Sequence, residues 1–157
     1  MPGPASIAAI RNYRLIDARV ATSGQPDEDQ LAAIADEGYE VIINLALHDD
    51  PRYSLRDEPG TVRALGLDYV HIPVKFDAPT AQDLHAFFQA MERHADRRIW
   101  VHCAANMRVT AFLGLFRALR QGYSEERAFA PMRSVWKPDA VWSAFIRSRL
   151  AGSAPES

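Results

Sequence analysis

Apolar and polar positions fall into blocks whose spacing separates strands from helices. Val41-Ile42-Ile43-Asn44-Leu45 and Ile99-Trp100-Val101-His102 are short, nearly continuous apolar runs, as expected of strands buried on both faces. Tyr13 to Asp17 and Tyr69 to Val74 read as two further strands. Other segments carry helical spacing. Leu31, Ile34 and Ala35 form one apolar face behind an acidic first turn, Asp27-Glu28-Asp29, and Gly38 marks the stop. Leu84, Phe87, Phe88 and Met91 form the face of a helix that Pro79-Thr80 opens and that runs to His94. Cys103 to Met107 is a tight segment leading into a helix from Arg108 to Gln121, which Gly122 ends. A short helix is expected over Thr61 to Leu65, and two more over Ser124 to Met132 and Pro138 to Leu150. Ser23-Gly24-Gln25-Pro26 reads as a turn, and His48 to Gly60, polar and with two prolines, as a loop.

Strands alternating with helices predict an α/β fold, a mostly parallel central sheet flanked by helices. In such sheets ligands bind beyond the carboxyl ends of the strands, which directs attention to Cys103. The pattern gives one domain over residues 13–150, between a Pro/Gly/Ala-rich N-terminal extension (1–12) and a flexible tail (151–157). A length of 157 residues fits a single core. The net charge of −2 leaves no electrostatic footprint for nucleic acid. A single cysteine excludes an internal disulfide and a multi-cysteine metal site, and fits a reducing compartment. No window of 18 apolar residues and no basic leader is visible, so the expectation is a cytoplasmic protein without a membrane partner. No pattern specifies an oligomeric state.

The chemistry concentrates in Val101-His102-Cys103-Ala104-Ala105-Asn106-Met107-Arg108-Val109-Thr110. A cysteine where a buried strand ends and a helix begins meets loop N–H groups and the positive end of the helix, and both favour a thiolate. Small Ala104 and Ala105 allow close backbone approach to an oxyanion, and Asn106 tolerates the positive φ that a tight loop demands. Arg108 offers two N–H groups as a fork for an oxyanion. Thr110 is spaced to hydrogen-bond the sulfur and ease its departure. The competing reading is an inert core cysteine, common among buried thiols. Sixteen of the 18 basic residues are arginines, so a nearby arginine is weak evidence by itself.

This segment resembles the signature of the cysteine-dependent protein tyrosine and dual-specificity phosphatases: a strand ending His-Cys, a loop, an Arg, then Ser or Thr. Ser23-Gly24-Gln25-Pro26, the Val41–Leu45 strand, Ile72-Pro73-Val74, Asp77 and Pro79-Thr80 extend the resemblance to a bacterial phosphatase-like group over residues 13–121. It implies a cysteine-dependent phosphatase-like fold and hydrolysis of phosphate monoesters, of a phosphoprotein or a small phosphorylated molecule, through a phosphocysteine and without a cofactor or metal. Cys103 is then the nucleophile, and Ala104, Ala105, Asn106, Met107 and Arg108 form the phosphate-binding loop. His102 and Thr110 are supporting residues.

The spacing departs from that family. Five residues separate Cys from Arg in the superfamily, and here there are four, with Asn106 where the loop glycine stands. One residue at a helix start turns a side chain by about 100° and moves it about 1.5 Å. A six-position loop of this kind resembles that of rhodanese-like sulfurtransferases, which hold a persulfide. Sulfur transfer through a Cys103 persulfide, and silent phosphate binding, are therefore rival readings.

Phosphate-ester cleavage needs a proton donor for the leaving oxygen, and Asp77, beyond the Tyr69–Val74 strand, is the candidate. Its alternative role is to cap the next helix or shape the Pro79 turn. Asp83, inside that helix, is a poorer choice. His102 either helps set the thiolate or is a satisfied strand histidine. His48-Asp49-Asp50 reads as a solvated loop rather than a metal site, as do Arg52 and Arg56 rather than a substrate clamp. Trp136 and Trp142 are expected to pack the last helix onto the core, with a rim role for Trp136 as the alternative.

Overall fold

The computed structural model describes residues 6–48 and 54–152. Four parallel strands form the body of the sheet: β2 (Val20–Ser23), β3 (Val41–Asn44), β4 (Asp68–His71) and β5 (Ile99–His102). A two-residue strand, β1 (Arg14–Leu15), adds antiparallel to β2 at one edge, and the spatial order is β1-β2-β5-β3-β4. β5 is thus central, and its register sets His102 beside Ser23 on one side and Asn44 on the other.

Helices cover both faces. α1 (Glu28–Asp36) and α2 (Glu58–Ala64) lie on one, with a 3-10 turn at Ile7–Ala9. α3 (Ala81–Arg93), α4 (Met107–Arg120), α5 (Glu125–Ala128), α6 (Ala130–Val135) and α7 (Ala140–Gly152) supply the other. The period-two alternation of the strands divides the core accordingly. Ile42 and Trp100 pack with Leu31, Ile34 and Val62. Ile43, Val101 and Cys103 pack with Phe87, Phe112 and Trp142. α1 and α3 start where the sequence predicts, because Asp27 and Thr80 close reciprocal capping boxes with Gln30 and Asp83.

Four differences from the sequence reading have local causes. β2 is an additional strand, and its polar end is buried because Thr22 and Ser23 are hydrogen-bonded by Asn106 and Trp100. The predicted Tyr13–Asp17 strand contracts to two paired residues. α2 starts at Glu58 rather than Thr61, capped by Asp57 and with Pro in its first turn, where a proline costs no hydrogen bond. The helix expected over 124–132 breaks at Phe129, with Pro131 opening a second helix. A Cβ on Gly114 would lie 2.3 Å from Phe129, so α4 and this break approach more closely than any side chain permits. Trp142 is fully buried and Trp136 half-buried against it. No helix among the described residues is long and apolar enough to cross a membrane.

Candidate active site

Cys103 directly follows β5 and is fully buried, with α4 starting four residues later. The loop between them is braced from outside. Gly24 pairs with Ala105 in an isolated bridge, and Gln25 N donates to Ala104 O at 3.0 Å. A Cβ on Gly24 would lie 2.6 Å from that same oxygen, so the turn after β2 requires glycine there. Asn12 Nδ2 donates to Ala105 O at 3.0 Å, and Asn106 Nδ2 donates back to Asn12 O at 2.8 Å and to Thr22 Oγ1 at 3.0 Å. Both asparagines adopt positive φ, 52° and 66°. Asn106 therefore carries the left-handed conformation expected of it.

These braces have an electrostatic consequence. The carbonyls of Ala104 and Ala105, whose partial negative charge would oppose an anion, are turned onto outside donors. The peptide is planar and trans, so the Ala105 N–H points opposite the Ala104 carbonyl, away from the brace. Asn106 is the N-cap of α4 but makes no side-chain capping bond, which leaves the first-turn N–H groups of that helix without a side-chain cap. Thr110 differs from expectation. Its hydroxyl donates within its own helix, 2.8 Å from Asn106 O and 3.1 Å from Met107 O, rather than being held to the sulfur.

Arg108 is nine-tenths buried in the first turn of α4. Its Nη1 donates to Val74 O at 2.8 Å, and its guanidinium carbon lies 6.0 Å from the centre of the Phe76 ring. Its Nε is buried without a hydrogen-bond partner. A buried charged donor left unsatisfied is costly, and an anion would relieve it. The residue thus couples the helix after Cys103 to the segment that carries Asp77. That segment is a turn, Ala78 N to Lys75 O at 3.2 Å, pinned again where Trp142 Nε1 donates to Phe76 O at 2.6 Å. Asp77 is exposed at this turn. Thr80 caps α3 and Asp83 completes its capping box, so the capping of that helix does not fall to Asp77.

The sequence reading missed Glu58. It is 1% exposed, and its Oε2 lies 2.5 Å from His102 Nε2 while its Oε1 accepts from Gln25 Nε2 at 2.8 Å. Burial pushes its carboxyl up, but the His102 charge and hydrogen bonds from His102 and Gln25 outweigh that and hold it below its ordinary value. Next to this pair, Asn44 Nδ2 donates to Tyr69 Oη at 3.0 Å, and His48 stacks on His71 with ring centres 3.9 Å apart. Burial and the neighbouring His71 hold His48 below its usual value. Arg56 is exposed, whereas Asp49, Asp50 and Arg52 lie outside the described residues.

The chain and its fold have known counterparts. The family model described as DSP-PTPase phosphatase fused to NAD+ kinase matches residues 11–143. The chain belongs to this DSP-PTPase family. A DUF442 protein of Shewanella putrefaciens CN-32 superposes with a TM-score of 0.83 at 31% identity, covering 94% of this chain and 96% of that one. Tk-PTP in its active form superposes at 0.71 with 23% identity, covering 90% and 95%, a likeness of fold. A beta-lactamase hydrolase-like protein of Xylella fastidiosa (strain Temecula1 / ATCC 700964) is 33% identical over 102 residues, 64% of this chain. The match covers 23% of that relative, so the DSP-PTPase chain spans less than a quarter of its length. The mostly parallel sheet flanked by helices, expected from the sequence, is the fold of these phosphatase-like proteins.

Proposed function

We propose that the protein hydrolyses phosphate monoesters through a phosphocysteine. The observation that carries this reading is Arg108, a buried guanidinium whose Nε is unspent and which hydrogen-bonds the segment bearing Asp77. In the first step the Cys103 thiolate attacks phosphorus, and the bond to the leaving oxygen breaks. Loop N–H groups, the uncapped start of α4 and Arg108 stabilise the equatorial oxygens, on which charge is spread in the transition state. Asp77 delivers a proton to the departing oxygen and then takes one from the water that cleaves the phosphocysteine. TpbA of P. aeruginosa has been crystallised with pTyr and PTPMT1 with PI(5)P, so both phosphoprotein and small-molecule monoesters belong among the substrates to try.

A second reading is favoured by one observation, the four-residue interval from Cys103 to Arg108. A smaller cradle suits a persulfide sulfur, and sulfur transfer needs no proton donor at Asp77. Hydrolysis of an aryl phosphate across about pH 5 to 8 decides between them, with Cys103→Ser as control. Turnover that vanishes in the control is the expected result. No turnover by the folded wild-type protein, together with sulfur transfer from thiosulfate, overturns it in favour of the persulfide.

A further inference from the structure

His102 leaves β5 on the face opposite Cys103 and is fully buried. Both of its ring nitrogens face oxygen acceptors. Nδ1 lies 3.3 Å from the carbonyl oxygen of Cys103, and Nε2 lies 2.5 Å from Glu58 Oε2. A neutral imidazole has one N–H and one lone pair, so in either tautomer a lone pair would confront an oxygen. The imidazolium satisfies both contacts. A buried ion pair is a poor stabilising device, since apolar residues of similar volume often do as well. Yet Glu58 reaches this position from α2, 44 residues away in sequence, and the half-buried amide of Gln25 holds its second oxygen.

We infer that Glu58 is a positioning residue for the nucleophile: through His102 it fixes a cation against the Cys103 backbone and so favours the Cys103 thiolate. The inference rests on Cys103 reacting as a thiolate, which both phosphate hydrolysis and sulfur transfer require. A cation one residue away lowers the cost of the anionic sulfur, as it does for other cysteines beside cationic groups. The other titratable groups facing the pair do not cancel it. His48, beyond β3, is held below its usual value by burial and by His71 and His102, which keeps it neutral near pH 7. The Tyr69 phenol, on β4, is pushed well above its usual range by burial and by Glu58, which keeps it protonated.

The test reads the thiolate directly, without any substrate. Cys103 is the only cysteine, so a pH titration of thiolate ultraviolet absorbance, with Cys103→Ser as blank, reports on that one group. In Glu58→Gln the midpoint is expected to rise by about one unit, a tenfold loss of thiolate well below it, and Glu58→Asp to recover part of the shift. An unchanged midpoint in folded Glu58→Gln overturns the inference. Should that variant not fold, Gln25→Met removes one donor from Glu58, and a rise in the same direction, smaller in size, is expected; no shift overturns it. Nitrogen NMR of the wild-type protein near pH 7 is expected to find both His102 ring nitrogens protonated, and a neutral ring overturns it without any variant. Absence of phosphatase turnover in the wild type would defeat the proposed reaction and leave these titrations unaffected.

Discussion

Cys103 and Asp77 both follow parallel strands of the same sheet, and the chain holds them in opposite ways. The Cys103 loop is fastened at nearly every residue, by Gln25, Asn12 and the two-way contact of Asn12 with Asn106, and the His102–Glu58 pair lies buried beside it. The Asp77 turn is exposed and fixed at two backbone carbonyls that precede Asp77, Val74 by Arg108 and Phe76 by Trp142. The contrast follows the chemistry each group would perform. A nucleophile and oxyanion cradle gain from preorganisation, because dipoles that need not reorient stabilise developing charge best. A proton donor must follow a leaving oxygen whose position varies with substrate, and a side chain free above a fixed backbone serves that.

Arg108 bridges the two arms, so its replacement should have the larger effect. Arg108→Lys keeps the charge but loses the planar fork, in which Nη1 holds Val74 O while a separate nitrogen, Nε, stays available to an oxyanion. A fall of about 10³-fold in kcat for aryl phosphate hydrolysis is expected, with KM for phosphate esters also raised. Retention of most activity would show that the short interval has already taken Arg108 out of the oxyanion site. Asp77→Asn should cost about 10²-fold on an alkyl phosphate, whose leaving group needs a proton, and far less on an aryl phosphate with a good leaving group. Its thermal stability should match the wild type within about 0.5 kcal/mol, since the side chain is exposed and caps nothing. Equal losses on both substrates would move the general acid elsewhere.

The same contrast governs what a sequence reader can see. β3, β5 and α3 announce themselves through continuous or periodic apolar residues, and the strand–Cys–helix junction follows from their order. Asn106 was legible because few residues accept its φ. β2 was not legible, because Thr22 and Ser23 look solvent-facing until Asn106 and Trp100, far along the chain, supply their partners. Glu58 was hidden for the same reason. It falls in the polar stretch from His48 to Gly60 that reads as a loop, where an acid needs no partner but water, and nothing nearby in sequence points to His102. Asp57 and Pro59 did mark the true start of α2, and Pro131 the break after α5; both signals were available. What escapes is pairing between buried polar groups distant in sequence, and the surroundings of Cys103 consist largely of such pairs.

The braced arm makes a sharper, smaller prediction of its own. Asn106→Ala should destabilise the protein by about 2 kcal/mol, combining left-handed backbone strain of about 1 kcal/mol with loss of the hydrogen bonds to Asn12 O and Thr22 Oγ1. Asn106→Gly removes the strain but not the lost bonds, so denaturant unfolding should place it between Ala and wild type. If φ were all that mattered, glycine would equal the wild type. If the brace were all that mattered, glycine and alanine would be equal. Activity separates the variants further. Glycine leaves the backbone able to keep its turn while removing the side-chain bonds to Asn12 O and Thr22 Oγ1, so a Gly variant that is nearly as stable as wild type but clearly slower would locate the value of those bonds in holding the loop still rather than in holding the fold together.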